Sequence, residues 1–240
     1  MKKSLAVAAI GLTVGFGLVG STQADERAWA WSPLGIGIAA PAQIPFMDSD
    51  VYGLRIGGFA GINHDVYGLD VDVAAITTGD FAGLEAAGFT WTEGSVYGIQ
   101  GAAFANVVCE QMIALQVAPV NIVRGDAAGV QGGIVNYDGS FAGLQFGAAA
   151  NWNIAPSCGL EVSAVNANQD EFIGWEVGFV NYSDRLMGFG LGVVNVAYEV
   201  TGYQLGVVNA CDDLHGFQLG LLNLVCNSKL PIMVIANASF

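Results

Sequence analysis

The residues with the widest chemical repertoire are few. The 240-residue chain holds two histidines and four cysteines. His64 lies in a turn-like stretch and His215 directly precedes a glycine. Neither has a repeated Cys, Asp or Glu partner at metal-ligand spacing, so both read as surface histidines. Cys109, Cys158, Cys211 and Cys226 include no C-x-x-C pair, which removes the common zinc and dithiol arrangements. Asp70, Asp72, Glu85, Glu161 and Glu176 would make a general acid–base pair only if two of them converged. They recur instead along one alternating polar face, which favours a solvated lining. Gly57-Gly58 and Gly132-Gly133 are repeat glycines without phosphate-loop context, and no nucleophile elbow occurs. These residues point to no enzyme, no cofactor and no metal.

The elements that position them form a tandem repeat. Its cleanest copies are Gly188-Phe-Gly-Leu-Gly-Val-Val-Asn195, Gly202-Tyr-Gln-Leu-Gly-Val-Val-Asn209 and Gly216-Phe-Gln-Leu-Gly-Leu-Leu-Asn223. Earlier copies start at Gly53, Gly68, Gly83, Gly98, Ala114, Gly129, Gly143, Gly159 and Gly174. Numbered from that first residue, positions 2, 4 and 6 are mostly apolar and position 5 is small. Position 3 is Arg55, Asp70, Glu85, Gln100, Gln116, Gln131, Gln145, Glu161, Glu176, Gly190, Gln204 and Gln218. This period-two alternation predicts one strand per unit, with an apolar face and a polar, small face. An apolar residue two places before the first Gly extends the strand to about ten residues. The Asn at position 8 (for example Asn121, Asn166 and Asn209) suits a turn entry, its side chain bonding the nearby backbone.

The N-terminus reads as a secretory leader over residues 1–24, with Lys2 and Lys3, an apolar run and small residues before Asp25. Residues 25–240 read as a single β-repeat domain, with repeats over about 51–228 and a closing strand over 231–240. The net charge is −14; without Lys2 and Lys3, five basic residues face 21 acidic ones, giving −16. Such a surface repels nucleic acid. Only 12% of residues are charged and mean hydropathy is +0.52, so a chain with no further helical span must bury two sheet faces or show one to lipid.

Four fully extended residues span only about 14 Å, too little to return a chain along a ten-residue strand of about 33 Å. An antiparallel neighbour needs no return. The expectation is therefore an all-β antiparallel meander of about 14 short strands, counting one over 31–46 and one over 232–240, closed into a barrel. A parallel β-solenoid is the alternative, if the glycines break each unit into short sides. A Cys211–Cys226 bridge would favour the solenoid. In the barrel, the position-3 residues from Arg55 to Gln218 become a lumen lining, and the even-numbered face meets outer-membrane lipid.

Asp48-Ser-Asp-Val-Tyr-Gly-Leu-Arg-Ile-Gly57, the Gly-Leu-Gln-[Leu/Ile]-Gly-[Leu/Val]-Val-Asn units and the closing Leu230-Pro-Ile-Met-Val-Ile-Ala-Asn-Ala-Ser-Phe240 resemble the bacterial surface-repeat proteins first noted in spirochaetes. The resemblance implies an exported envelope or surface protein and carries no site residues. Two functions follow as expectations: a structural outer-membrane barrel or small-solute pore of a Gram-negative-type bacterium, or a secreted or surface-displayed adhesion module.

Overall fold

Alternation dictates which side chains turn inward; bends in the backbone dictate where the chain goes next. The computed structural model describes residues 31–240, so the leader read over 1–24 lies outside the described residues. The strands are β1 (Trp31–Ala39), β2 (Ala42–Ile44), β3 (Asp50–Asn63), β4 (Val66–Thr77), β5 (Phe81–Thr92), β6 (Val96–Val108) and β7 (Met112–Val117). They continue as β8 (Val120–Asn153), β9 (Ser157–Val162), β10 (Val165–Val177), β11 (Val180–Leu191), β12 (Val194–Leu205), β13 (Val208–Val225) and β14 (Ile232–Ser239). All belong to one sheet in near-sequential order.

The direction of pairing overturns the barrel. Successive copies run parallel and in step: Val200 lies beside Leu214, Gly202 beside Gly216 and Gln204 beside Gln218. The same registry holds from β3 to β13. Among the described residues, antiparallel pairing is confined to the ends, β1 with β2 and β13 with β14. The molecule is a parallel β-solenoid of about 13 turns, the alternative topology. The ten-residue strand is not straight. Each unit has one side from position −2 to 4 and a second from 7 to 10, with the chain bending at positions 5 and 6, as at Gly206 and Val207. The second side carries the chain back, and the return distance that argued for a meander disappears.

The first glycine is required by close stacking of these coils. All eleven of these glycines have φ between 128° and 148°, and Ala114, which stands in the column in their place, is not among the positive-φ residues. A Cβ on Gly174 would lie 2.0 Å from the carbonyl oxygen of Gly159 in the coil before. Only glycine occupies that backbone region without strain.

Four side chains per coil point inward: those at −2, 3, 8 and 10. The column at −2 is the apolar core. Val51, Val66, Phe81, Val96, Met112, Ala127 and Phe141 form one cluster, and Phe172, Leu186, Val200 and Leu214 belong to a second. Buried Ser157 separates them; its Oγ accepts from the Phe141 amide (3.0 Å) and donates to the Ala155 carbonyl (3.0 Å). The even-numbered positions 2 and 4 face outward. Leu69, Leu84, Leu144, Trp175 and Leu219 are each more than 40% exposed.

Candidate functional site

The solenoid interior gathers almost every polar residue that the sequence singles out. The inward direction of position 3 follows from alternation and is observed, but the residues line no channel. Arg55, Asp70, Glu85, Gln100, Gln116, Gln131, Gln145, Glu161, Glu176, Gln204 and Gln218 are all buried. Coil stacking puts each amide directly beside the next. Gln100 Nε2 donates to Glu85 (2.6 Å), Gln116 to Gln100 (2.7 Å), Gln131 to Gln116 (3.0 Å) and Gln145 to Gln131 (2.9 Å). The column is interrupted at Gly190 and resumes with Gln218 donating to Gln204 (2.8 Å).

Position 8, or position 9 in the longer coils that begin at Gly98 and Gly143, forms a second ladder where a turn entry was expected. From Asn106 through Asn121, Asn136, Asn151, Asn166, Asn181, Asn195 and Asn209 to Asn223, each Nδ2 donates to the next Oδ1 at 2.7 to 3.0 Å. From Asn121 to Asn209 the same Nδ2 groups also reach the position-4 carbonyl at the edge of the bend in the following coil, as Asn195 does at Leu205 (3.1 Å) and Asn209 at Leu219 (3.0 Å). Each of these amides thus ties its neighbour's side chain and a bend carbonyl together, and repetition satisfies the buried Asn column.

Carboxyls enter the same ladders. Glu161 accepts from Asn153 (2.6 Å) and Asn168 (3.0 Å). Glu176 accepts from Asn168 (2.8 Å) and from Ser183. Asp138, at position 10, accepts from Gln131 (2.8 Å) and Gln145 (2.5 Å). Burial disfavours their charged forms. It raises Glu161 to about 8, with the neighbouring Glu176 adding to it. It raises Asp138 to about 8 and Glu176 to about 7. Glu85 is raised to about 8 by burial and then by Asp70. Below neutrality these groups carry protons and act as hydrogen-bonded neutral acids.

One charged cluster closes the N-terminal end of the column. Arg55 Nε donates to Asp70 Oδ1 (2.9 Å), Nη2 contacts Asp70 Oδ2, and Nε lies 3.3 Å from Asp72 Oδ2. Asp72 is raised to about 6, by burial first and then by Asp70, against the lowering effect of Arg55. The neighbouring indentation, lined by Gly35, Gln43, Ile44 and Asn63 among others, has room for about one water molecule. It is no substrate cleft.

Stacking also creates a group that linear spacing hides. His64 Nδ1 is 3.1 Å from Asp50 Oδ1 and 3.4 Å from Asp65 Oδ1, Asp50 coming from the coil before. The three offer ligand atoms within 4.8 Å of one another. Asp50, Asp65 and Asp80 also bind backbone. Their Oδ1 atoms accept the amides of Asp65 (3.3 Å), Asp80 (2.8 Å) and Ser95 (2.7 Å), one coil on in each case. These acids hold the corner between coils.

The cysteines stay apart chemically. All four are free. Cys226 N donates to Cys211 O (2.9 Å), so the two sit in adjacent coils as a solenoid requires. Cys211 is buried and Cys226 exposed, because neighbouring strand positions point to opposite sides. Burial raises the Cys211 thiol to about 12, leaving it protonated.

One face of the outer surface has the opposite composition. Positions −1, 2 and 4 of the coils from Gly53 to Gly216 contain no Asp, Glu, Lys or Arg. Aromatic rings stack along these columns: Tyr52 on Tyr67 (4.9 Å between centroids) and Phe189 on Tyr203 (4.8 Å). Among the described residues, no helix is long and apolar enough to cross a membrane. No protein-family model, curated protein or solved structure matches the chain.

Proposed function

We propose that the chain is an exported, non-catalytic β-solenoid acting at the bacterial surface as an interaction module. The observation that carries this reading is the division between inside and outside. The acids and amides that could do chemistry are buried in repeating hydrogen bonds, while an uncharged apolar face is held outward on a rigid ladder. The resemblance of its repeats to bacterial surface-repeat proteins and the leader-like residues 1–24 support the export step.

The pore reading loses its basis, since the polar column that would line a lumen is packed against other side chains. Outer-membrane lipid, the partner a barrel requires, is no longer needed to satisfy the strands.

Fractionation of the producing cell tests the proposal. The protein should leave the cell envelope without detergent and be cleaved by external protease on intact cells. Recovery only in detergent, with heat-modifiable gel mobility and conductance in planar bilayers, would return the barrel and end this reading.

A further inference from the structure

The outward face formed by positions −1, 2 and 4 poses a physical problem that one partner solves. Along the stack it extends roughly 55 Å, from coils about 4.8 Å apart, and across the strands roughly 17 Å. That is roughly 900 Å² of almost uninterrupted uncharged surface, against the few hundred Å² of contiguous apolar patch that a soluble monomer usually shows. Two such faces together would bury roughly 1,800 Å², within the range of stable protein interfaces.

The shape of the face identifies what covers it. Its side chains stand in ridges at the coil spacing, and a surface with the same periodic ridges is another copy of the face. The distribution of bulk along position 4 then selects one orientation. Ala86, Gly101 and Gly132 lie in the N-terminal half, and Phe146, Val177 and Leu191 in the C-terminal half. At Gly132 a Cβ would meet nothing within 4 Å, and at Gly101 nothing nearer than 3.8 Å, so both positions are open dents. Phe146 projects from the other half, 42% exposed, and so does Trp175 at position 2, 56% exposed.

We propose that this face is the interface of a two-fold homodimer, with the two solenoid axes antiparallel. The dyad runs along the strands between the coils that begin at Gly129 and Gly143. It sets Phe146 of one copy over the Gly132 dent of the other. Val177 then faces the Gly101 dent, with Trp175 at its rim. Position 2 meets position 2, so Leu144 faces Val130 of the second copy. A two-fold along the solenoid axis would instead place each bulky coil on itself. This names the partner of the interaction surface proposed above and rests on that reading.

Sedimentation of the leaderless mature chain tests it, with circular dichroism checking that each variant folds. The wild type should have the mass of a dimer. Trp175→Lys and Ile99→Glu, exposed position-2 sites that the dyad sets face to face and that lie five coils apart within one chain, should separately shift the mass to that of a monomer, with at least a hundredfold weaker association. Combining them in one chain should restore the dimer, because the dyad pairs the new lysine with the new glutamate. A monomeric wild type overturns the dimer, as does a dimer indifferent to both single changes. Failure of the double variant to recover overturns the antiparallel two-fold. Surface cleavage of intact cells is read separately, so a monomer that is still cleaved there defeats the dimer while leaving the interaction module standing.

Discussion

Replacing Glu161 with Gln should remove part of an acid-requiring stability. In the fold, burial raises Glu161 from an ordinary 4.5 to about 8. In the unfolded chain it ionises near its ordinary value. Between those limits the native state holds a proton that the unfolded state has lost, so stability falls as pH rises. The contribution is complete below about pH 4 and is lost as pH climbs through about 8. At about 1.4 kcal/mol per pH unit, Glu161 alone accounts for up to about 5 kcal/mol. The amide removes this dependence with little change of shape. Glu161 lies beside Gln145 in the adjacent coil, and a glutamine there can donate to Gln145 as Gln145 donates to Gln131 (2.9 Å). Urea midpoints followed by circular dichroism at about pH 5, about pH 6.5 and about pH 8 read the effect. Glu161→Gln should match the wild type near the acid end and exceed it increasingly toward the alkaline end, its slope reduced by up to one proton. Parallel curves for the two proteins would refute the claim that Glu161 is buried and protonated.

Two further changes probe the ladder and the stack. Asn166→Ala removes the acceptor of Asn151 (3.0 Å) and the donor to Asn181 (2.8 Å) and Val177 (3.1 Å), so it should cost about 3 kcal/mol in the same urea titration. Asn227→Ala, which removes one exposed bond to Asp213 (3.0 Å), should change stability by less than about 0.5 kcal/mol. Gly174→Ala forces a Cβ against the Gly159 carbonyl at 2.0 Å with φ at 146°, and should cost about 3 kcal/mol or prevent folding, measured by the same midpoint or by soluble yield.

Strand content, repeat frame and the sidedness of position 3 were legible in the sequence because side-chain alternation reports which way a residue points. It does not report which way the next strand runs. That depended on the bend at positions such as Gly206 and Val207, which converts one long strand into two short sides. Asn166 illustrates a second ambiguity. An Asn at the end of an alternating strand fits a turn entry, and only parallel stacking places it beside Asn151 and Asn181. His64 illustrates the third: Asp50 is fourteen residues away in sequence and 3.1 Å away in space. The core column at −2 was hidden because Val200 and Gln204 share the inward side, which merges an apolar and a polar column into one face.

The ends decide whether association stops at a pair. A solenoid of identical coils has two open edges whose unpaired amides and carbonyls would template further coils. Here the sheet ends at both sides on a strand of reversed direction. β2 crosses the N-terminal coil antiparallel, pairing Gln43 with Gly37, and its Gln43 side chain takes the Ile62 amide through Oε1 (3.0 Å). β14 lies antiparallel on β13, pairing Ala236 with Leu219 and Ala238 with Phe217. A strand of reversed direction interrupts the like-on-like side-chain columns, because its residues no longer fall in the same order as those beneath. Growth along the stack therefore loses the repeated amide contacts that hold each coil to the next. Lateral contact through the long face keeps its periodic fit, and a dyad consumes that face in a single partner. An assembly limited to two follows from capped ends and one self-complementary side.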